Sequence, residues 1–258
     1  MPAGPTPSAE LAVAIIPARL GSTRFPGKVL AARTGRPLIA HVWEAARGAR
    51  SVERVVIATD DARVADAVRA FGGEVVMSSP SHPNGTSRLA EAARALALAP
   101  DRVVVNVQGD EPELNPALID LGVESLRTTD ADAATVASPF APGQSAADPN
   151  IVKVVLDARG RALYFSRAPI PFTRNASASP VASPLKHLGL YVYTRAFLDE
   201  YVAMPPTPLE RAESLEQLRI LEHGRSIAVA VAEAHHVGID TPEQYEAFVA
   251  RVRGAGRA

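Results

Sequence analysis

Residues 11–30 read LAVAIIPARLGSTRFPGKVL, a short buried strand that ends at Pro17 and runs directly into a basic loop. The loop holds three cations and two glycines, namely Arg19, Gly21, Arg24, Gly27 and Lys28. Glycines let a backbone fold closely around a phosphate, and three cations beside such a turn can balance a triphosphate. The loop matches neither a Walker A sequence nor the GxGxxG fingerprint, so P-loop chemistry and a standard dinucleotide fold are disfavoured. The alternative interpretation is an ordinary basic surface loop.

Strands and helices alternate through the first half of the chain. After the first strand come helix 36–50, strand 53–61, helix 62–73, strand 74–77, helix 86–98, strand 102–112 and helix 115–127. This order predicts an α/β fold with a Rossmann-like, mostly parallel sheet and helices on both faces. Ligands of such sheets bind beyond the carboxyl ends of the strands. The polar clusters after Ile16, Ile57 and Val107 therefore predict where the site lies.

The second half is richer in strands. Strand-like segments cover 131–140, 150–157, 162–167, 187–194 and 227–234. Helices are predicted over 195–203, 208–224 and 241–254, the last with Thr241 as N-cap and Pro242 at its first position. The Pro- and Ser-rich residues 171–184 predict an exposed loop. We expect a disordered lead-in over 1–10 and one domain over 11–258, with its two halves at about 11–130 and about 131–258.

Composition excludes several classes of protein. The 258 residues include no cysteine, which rules out disulfide scaffolds, thiolate zinc sites and cysteine nucleophiles. Lys and Arg number 27 against 28 Asp and Glu, and a net charge of −1 argues against non-specific nucleic-acid binding. No uncharged apolar run approaches the ~18 residues of a membrane span, and the N-terminus lacks the order of a signal peptide. We expect a soluble cytoplasmic protein without nucleic-acid or membrane partners.

Two carboxylates are candidates for a metal site. Asp110 ends the strand VVVNVQGD, and Asp240 lies 130 positions later, between a strand and a helix, so both suit the carboxyl edge of the sheet. Magnesium favours one or two protein carboxylates together with water and phosphate oxygens. A capping role is the alternative, and Asp240, which precedes Thr241 and Pro242, fits it well.

The signature IIPARLGSTRFPGKVL closely resembles that of the CMP-Kdo synthetases, the 3-deoxy-manno-octulosonate (Kdo) cytidylyltransferases. Six later blocks resemble the same family in the same order: NGTSRLAE, VNVQGDEP, ALYFSRAPIP, KHLGLYVY, PLERAESLEQLRIL and GIDTPE. The resemblance runs from about Leu11 to Arg253. It implies a nucleotidyltransferase fold, with a nucleotide-binding first half and a second half that binds the sugar and forms a homodimer.

The resemblance also implies a reaction, CTP + Kdo → CMP-Kdo + pyrophosphate, which supplies activated Kdo for lipopolysaccharide. The catalytic residues it implies are Arg19, Arg24, Lys28 and Asp110, and the Mg²⁺ ligands are Asp110 and Asp240. The residues expected to hold the nucleotide at this loop are Arg19, Ser22, Arg24 and Lys28. No general base stands out in the sequence.

Base recognition is expected from Gln108 and the NGTSR segment, through Gly85, Thr86 and Arg88. Amides, hydroxyls and backbone groups can read the amine and the acceptors of cytosine. Alternatively, Thr86 and Ser87 cap the following helix. Family members often have SGTER here, so Ser87 departs from their pattern.

The sugar acid is expected to contact Arg167, His187 and Tyr191, as the resemblance implies. A second set of predicted contacts lies on one face of helix 208–224, at spacings i, i+3 and i+7: Glu210, Glu213 and Gln217. Alternatives are a cytidylyltransferase for 8-amino-Kdo or a sialic acid, or a nucleotide-binding regulator without turnover. The sialate enzymes typically carry a loop like PARGGSKG, which disfavours them, and the retention of Lys28, Asp110 and Asp240 disfavours a regulator.

Overall fold

In the part of the chain that the structure describes, nine strands form one sheet. The computed structural model describes residues 6–21, 24–82, 84–174, 183–234 and 238–255. The strands are β1 (Ala12–Ala18), β2 (Val52–Thr59), β3 (Glu74–Met77), β4 (Val103–Asn106), β5 (Ala133–Pro139), β6 (Lys153–Leu156), β7 (Ala162–Ser166), β8 (Leu185–Thr194) and β9 (Ile227–Val231). The helices are α1 (Leu38–Arg47), α2 (Ala62–Ala70), α3 (Gly85–Ala95), α4 (Pro116–Thr128), α5 (Arg195–Ala203), α6 (Pro208–Glu213), α7 (Gln217–Glu222) and α8 (Pro242–Ala255), and a 3₁₀ turn covers Lys28–Leu30.

The strand order is β3-β2-β1-β4-β8-β5-β9, and the hairpin of β6 and β7 joins the sheet at β8. Strands β1 to β4 pair in parallel, as do β5 and β9. Strand β8 lies between β4 and β5 and is antiparallel to both. The predicted α/β fold with a mostly parallel sheet is therefore confirmed, with β8 as an antiparallel strand in the middle.

Both faces of the sheet are covered, which explains the continuous apolar runs. In β1, Ala12, Ala14 and Ile16 contact the layer formed by α1 and α4. Val13 and Ile15 point the other way, toward the layer that includes α3 and α5. All five side chains are at most 1 % exposed, so neither face of this strand meets solvent.

The C-terminal helix is fastened next to the basic loop. Tyr245 and Phe248 of α8 are buried against Leu38, and the ring of Tyr245 lies 5.5 Å from that of Phe25. At the start of the helix, the Gln244 amide donates to the hydroxyl of Thr241 at 3.3 Å, as expected of an N-cap. This packing holds the residues that precede α8 against the loop that follows β1.

The predicted helix 208–224 is wrong, because the chain breaks between α6 and α7. Ser214 adopts a left-handed conformation, with φ at 53°. The Arg167 guanidinium donates to the carbonyls of Glu213 and Ser214, at 2.8 and 3.4 Å. In a continuing helix, these carbonyls would accept from backbone N–H groups four residues later. A residue distant in sequence thus ends α6.

Two other boundaries differ from the expectation. Strand β9 ends at Val231 rather than at 234, and residues 238–240 are irregular, so Asp240 is not the last residue of a strand. At the other end, Ser8 donates a backbone hydrogen bond to the Asp101 carbonyl, and Arg127 donates to the Ser8 carbonyl at 3.2 Å. Ser8, within the segment expected to be disordered, is therefore hydrogen-bonded to the rest of the domain. No helix in the described ranges is long and apolar enough to cross a bilayer.

Candidate active site

A cavity of about 640 Å³ opens at the carboxyl ends of β1 and β4. Two of the three polar clusters predicted to mark the site line it, those after Ile16 and Val107. Many of the predicted nucleotide and metal residues line it as well: Arg19, Arg24, Lys28, Gly85, Arg88, Gln108, Asp110 and Asp240. Ser22 lies outside the described residues, so its predicted contact with nucleotide stays a prediction.

The two predicted metal ligands meet at one point. Backbone pairing brings their segments together, since the Ile239 amide donates to the Asp110 carbonyl at 2.8 Å. The Lys28 ammonium contacts Asp110 Oδ2 at 2.7 Å and Asp240 Oδ1 at 3.0 Å. It also donates to the Ile239 carbonyl at 2.9 Å. Burial alone lowers the pKa of Lys28, but the two carboxylates outweigh it and hold that pKa above its usual value.

The other loop cations face the same cavity with different partners. Arg24 pairs with Asp240 Oδ2 at 2.9 Å, and its side chain is 58 % exposed, so it is free to swing toward a ligand. Arg19 lines the cavity, and its charge offsets a small part of the rise that burial causes in the pKa of the Glu216 carboxyl. The loop therefore presents three positive charges to one space.

Among the described residues, protein side chains do not form a complete metal cage. No group of three or more His, Asp or Glu is placed to hold an ion in these ranges. Asp110 and Asp240 form a pair, and a pair suits magnesium, which usually keeps waters and phosphate oxygens among its ligands. The point between the two carboxylates already accommodates a positive charge, the Lys28 ammonium.

The NGTSR segment begins α3, and its cap is Asn84. The Asn84 side chain accepts from the Ser87 amide at 2.9 Å, so neither Thr86 nor Ser87 is the cap. The Thr86 hydroxyl instead donates to Glu216 at 3.0 Å. Gly85 lies against Pro17, where a Cβ would come within 3.3 Å of the ring. The capping interpretation of Thr86 and Ser87 is therefore wrong.

Arg88 is held by protein partners rather than left free for a base. Its guanidinium pairs with Asp60 at 3.0 Å and donates to the Ser78 hydroxyl, and its side chain is only 4 % exposed. Asp60 belongs to the third predicted polar cluster, after Ile57, which thus reaches the site through Arg88. Gln108 lies on the other side, where its amide donates to the Gly189 carbonyl at 3.3 Å.

A second cavity of about 440 Å³ adjoins the first. Gly85, Gln108 and Asp240 line both. The predicted residues that line the second cavity also include Thr86, Arg167, His187, Tyr191 and Gln217. A ligand in one cavity can therefore reach a ligand in the other past Asp240.

His187 is neutral, which changes its predicted role. Burial lowers the pKa of His187 from 6.5 to about 3. The Thr135 hydroxyl donates its one proton to the Leu190 carbonyl, so at 2.8 Å from His187 Nε2 it must accept. The ring therefore carries its proton on Nε2 and leaves Nδ1 as an acceptor. Such a ring cannot bind a carboxylate as a cation, but it can accept from a hydroxyl.

Arg167 is anchored as well as exposed to the second cavity. Its guanidinium donates to the Glu213 carbonyl at 2.8 Å and to the Pro149 carbonyl at 2.9 Å. The ring of Tyr191 is stacked on that of Tyr193, with ring centres 6.0 Å apart, and is tilted by 52° against that of His187 at 5.1 Å. Burial raises the pKa of Tyr191, so its hydroxyl stays protonated.

The predicted stripe of Glu210, Glu213 and Gln217 does not exist, because the helix breaks at Ser214. Glu210 forms a buried pair with Arg219 at 2.8 Å, away from the second cavity. Glu213 accepts from the Ser166 hydroxyl at 2.6 Å and from the Arg167 amide at 2.9 Å. Both carboxylates are taken by protein groups, so we no longer assign them to a sugar. Gln217 is the member that faces the cavity.

The sequence interpretation missed Glu216. Its carboxyl lines the second cavity, and burial raises its pKa despite the hydrogen bond from Thr86. Its position beside Gln217 in the SLEQLR block was the available signal. The break in the helix, which turns both residues toward the cavity, was not visible in the residue spacing.

Comparison with known proteins gives a consistent result. A family model described as cytidylyltransferase matches residues 13–227. The 3-deoxy-manno-octulosonate cytidylyltransferase of Syntrophobacter fumaroxidans is 51 % identical over 92 % of this chain and 95 % of that protein. The protein of that name from Chromohalobacter salexigens is 50 % identical over 93 % of this chain and 95 % of its own length.

A solved structure is similar over nearly the whole chain. It is described as CMP:2-keto-3-deoxy-manno-octonic acid synthetase complexed with CTP, and it superposes with a TM-score of 0.88 at 41 % identity. The match covers 95 % of this chain and 100 % of that one. A 4-diphosphocytidyl-2C-methyl-D-erythritol synthase from Anaerococcus prevotii, 16 % identical with a TM-score of 0.61, shares the fold alone.

Proposed function

The chain belongs to the 3-deoxy-manno-octulosonate cytidylyltransferases, and we propose from this premise which of its residues perform each part of the reaction. The enzyme transfers CMP from CTP to Kdo and releases pyrophosphate. In this reaction the anomeric hydroxyl of Kdo attacks the α-phosphorus. A new oxygen–phosphorus bond forms, and the bond from that phosphorus to the β-phosphate oxygen breaks.

The observation that carries the proposal is the pair of joined cavities. The first is lined by the basic loop after β1, and the second by polar and aromatic side chains of β8 and α7. Their shared residues, including Asp240 and Gln108, lie where the two substrates would touch. Holding both reactants in contact supplies much of the rate gain expected of such an enzyme.

We assign the triphosphate to the first cavity. Arg19, Arg24 and Lys28 would bind its oxygens and the charge that develops on the leaving pyrophosphate. Gln108 and Gly85 would approach the cytosine. Arg88 would act indirectly. Its ion pair with Asp60 holds the start of α3 in place, and we assign the base to the space beside that helix start.

We assign Kdo to the second cavity. Gln217 and Tyr191 offer groups for the sugar hydroxyls, and the free Nδ1 of His187 would accept from one of them. Arg167 is a cation on the cavity wall, which suits the sugar carboxylate, although three of its five N–H groups donate to protein carbonyls.

We propose Mg²⁺ as the cofactor, held by Asp110 and Asp240. Their carboxylates converge on one point, the Lys28 ammonium, and both line the first cavity. When bound there, the ion would offset the charge of the triphosphate and lower the pKa of the attacking hydroxyl.

Two further proposals concern the protein as a whole. The exposed apolar side chains of the strand-rich half include Leu163 in β7 and Phe172 after it, 62 % and 87 % exposed, which favours a homodimer formed by this half. Analytical ultracentrifugation tests the proposed homodimer by measuring the mass of the protein in solution. The product would supply activated Kdo for lipopolysaccharide.

The direct test is pyrophosphate release with a panel of substrates. We expect turnover with CTP and Kdo, less with UTP or ATP, and less with N-acetylneuraminate. The variant Gln217→Leu should raise the KM for Kdo and leave the KM for CTP unchanged, which provides an internal control. A preference for 8-amino-Kdo over Kdo would change the assigned substrate, and the absence of turnover with every pair would refute the function.

A further inference from the structure

The Lys28 ammonium has no hydrogen-bond donor left for a ligand. An ammonium carries three N–H donors, and here they meet Asp110 at 2.7 Å, the Ile239 carbonyl at 2.9 Å and Asp240 at 3.0 Å. The side chain is 12 % exposed. In this arrangement Lys28 cannot also donate to a phosphate oxygen.

The carboxylates are engaged as well, Asp110 through one oxygen, Oδ2, and Asp240 through both. Both oxygens of Asp240 face cations, Oδ1 toward Lys28 and Oδ2 toward Arg24 at 2.9 Å. Two negative charges and two positive charges thus neutralise one another at one end of the first cavity. A divalent cation that binds these oxygens has to replace cations already there.

We propose that Lys28 occupies the position of the divalent cation and exchanges with it. This inference rests on the proposed magnesium site. When the ion binds Asp110 and Asp240, Lys28 leaves them and donates to the triphosphate in the same cavity. Lysine suits such a movement, since its charge lies at the end of a flexible four-carbon stem.

The exchange keeps charges balanced at each stage. Before substrate binds, Lys28 and Arg24 compensate the carboxylates, so this end of the cavity does not hold uncompensated negative charge. Once the nucleotide and the ion are present, the ion compensates the carboxylates and the two side chains compensate the phosphates. The metal and the nucleotide therefore assist each other's binding, and linkage requires this coupling to be mutual.

The first test measures Mn²⁺ binding by electron paramagnetic resonance on nucleotide-free protein. Lys28→Met removes the competing ammonium and should bind Mn²⁺ at least ~10-fold more tightly than the wild type, about 1.4 kcal/mol. Arg19→Met is the matched control. It also removes a cation from the lining of this cavity, but that cation interacts with Glu216 rather than with Asp110 and Asp240. We expect it to change the affinity by no more than about threefold, as screening attenuates a more distant charge.

The second test follows Lys28 itself in the wild-type protein and does not depend on a variant that folds. The chain contains only three lysines, Lys28, Lys153 and Lys186. In protein labelled with ¹³Cε-lysine, adding Mg²⁺ without nucleotide should shift the Lys28 signal. The signals of the buried Lys153 and Lys186 should stay in place, and Asp110→Asn should abolish the shift.

Equal Mn²⁺ affinity in Lys28→Met and wild type, or a Lys28 signal unmoved by saturating Mg²⁺, would overturn the exchange. Pyrophosphate release measured on the same wild-type preparation separates this from a failure of the proposed function. Magnesium-dependent turnover with an unmoved Lys28 refutes the exchange alone. Turnover that does not need a divalent cation refutes both the magnesium site and the exchange.

Discussion

Replacing Asp110 and Asp240 by Asn, singly and together, tests whether the two carboxylates act on one ion. Both carboxylates already lie within 3.0 Å of one nitrogen, Lys28 Nζ, so a single ion can be reached by both with little movement. Asn keeps the size of the side chain and removes its charge. Each single variant should therefore remove one charged ligand of the same ion.

The magnitude follows from this shared position. Losing one contact that stabilises developing charge costs ~3–4 kcal/mol of barrier, or ~100- to 1000-fold in rate. If both carboxylates serve one ion, the second substitution should cost no more than ~10-fold beyond the worse single variant. Two independent contributions would multiply instead, to a loss of ~10⁴- to 10⁶-fold.

The assay is pyrophosphate release at a series of Mg²⁺ concentrations, with saturating CTP and Kdo. Each single variant should need more Mg²⁺ for half-maximal rate. Asp130→Asn is the matched control, because that carboxylate is 82 % exposed and pairs with Arg161 on the surface. It should keep its rate and its Mg²⁺ dependence. Losses that multiply at an unchanged Mg²⁺ requirement would refute the shared ion.

Three further predictions concern His187, Arg88 and the base. His187 stays neutral when folded and titrates near 6.5 when unfolded, so the stability present above pH 6.5 is lost as the pH falls toward about 3. His187→Gln should flatten that fall by at most ~1.4 kcal/mol per pH unit in urea denaturation, and parallel slopes would contradict it. Arg88→Met leaves Asp60 unpaired and should lower the free energy of unfolding by ~2–4 kcal/mol, whereas full stability with only a raised KM for CTP would make Arg88 a direct ligand. CTP should exceed UTP in kcat/KM by ~5- to 150-fold, because uracil leaves the protein group that reads the cytosine amine unpaired, at a cost of ~1–3 kcal/mol. Equal use of the two nucleotides would contradict base recognition by Gln108 and Gly85.

Local features of the site could be predicted from the sequence because they depend on neighbouring residues. Ala12 to Ile16 of β1 are buried on one face of the sheet or the other, and a continuous apolar run is the direct result. Arg19, Arg24 and Lys28 reach one cavity because they share a short loop at the end of that strand. The spacing of residues along the chain was therefore sufficient to predict both the buried strand and the grouping of the three cations.

Features that depend on distant contacts were predicted less well. Asp110 and Asp240 do converge, but not because both end strands. The position of Asp240 depends on the burial of Tyr245 and Phe248 of α8 against Leu38. The residues next to Asp240 in the sequence do not indicate this contact. The predicted convergence of the two carboxylates is therefore correct, but the reason given for it, that both end strands, is partly wrong.

The second cavity shows the same limit more clearly. Helical spacing predicted that Glu210, Glu213 and Gln217 share a face, and propensity alone supports a continuous helix there. The break depends on Arg167, some 46 positions earlier, which takes the carbonyl of Glu213. The same break exposes Glu216 to the cavity and removes Glu210 from it.

The place of β8 also bears on how the chain is made in the cell. Strand β4 can complete its pairing only with β8, because β1 takes its other edge. On the ribosome, β8 emerges ~90 residues after β4, a delay of roughly 5 to 18 s at ~5–20 residues per second. Through that interval the nascent chain presents Val103–Asn106 as an unprotected apolar edge. We therefore expect the first half of the nascent chain to bind chaperones until the strand that also lines the second cavity has been synthesised.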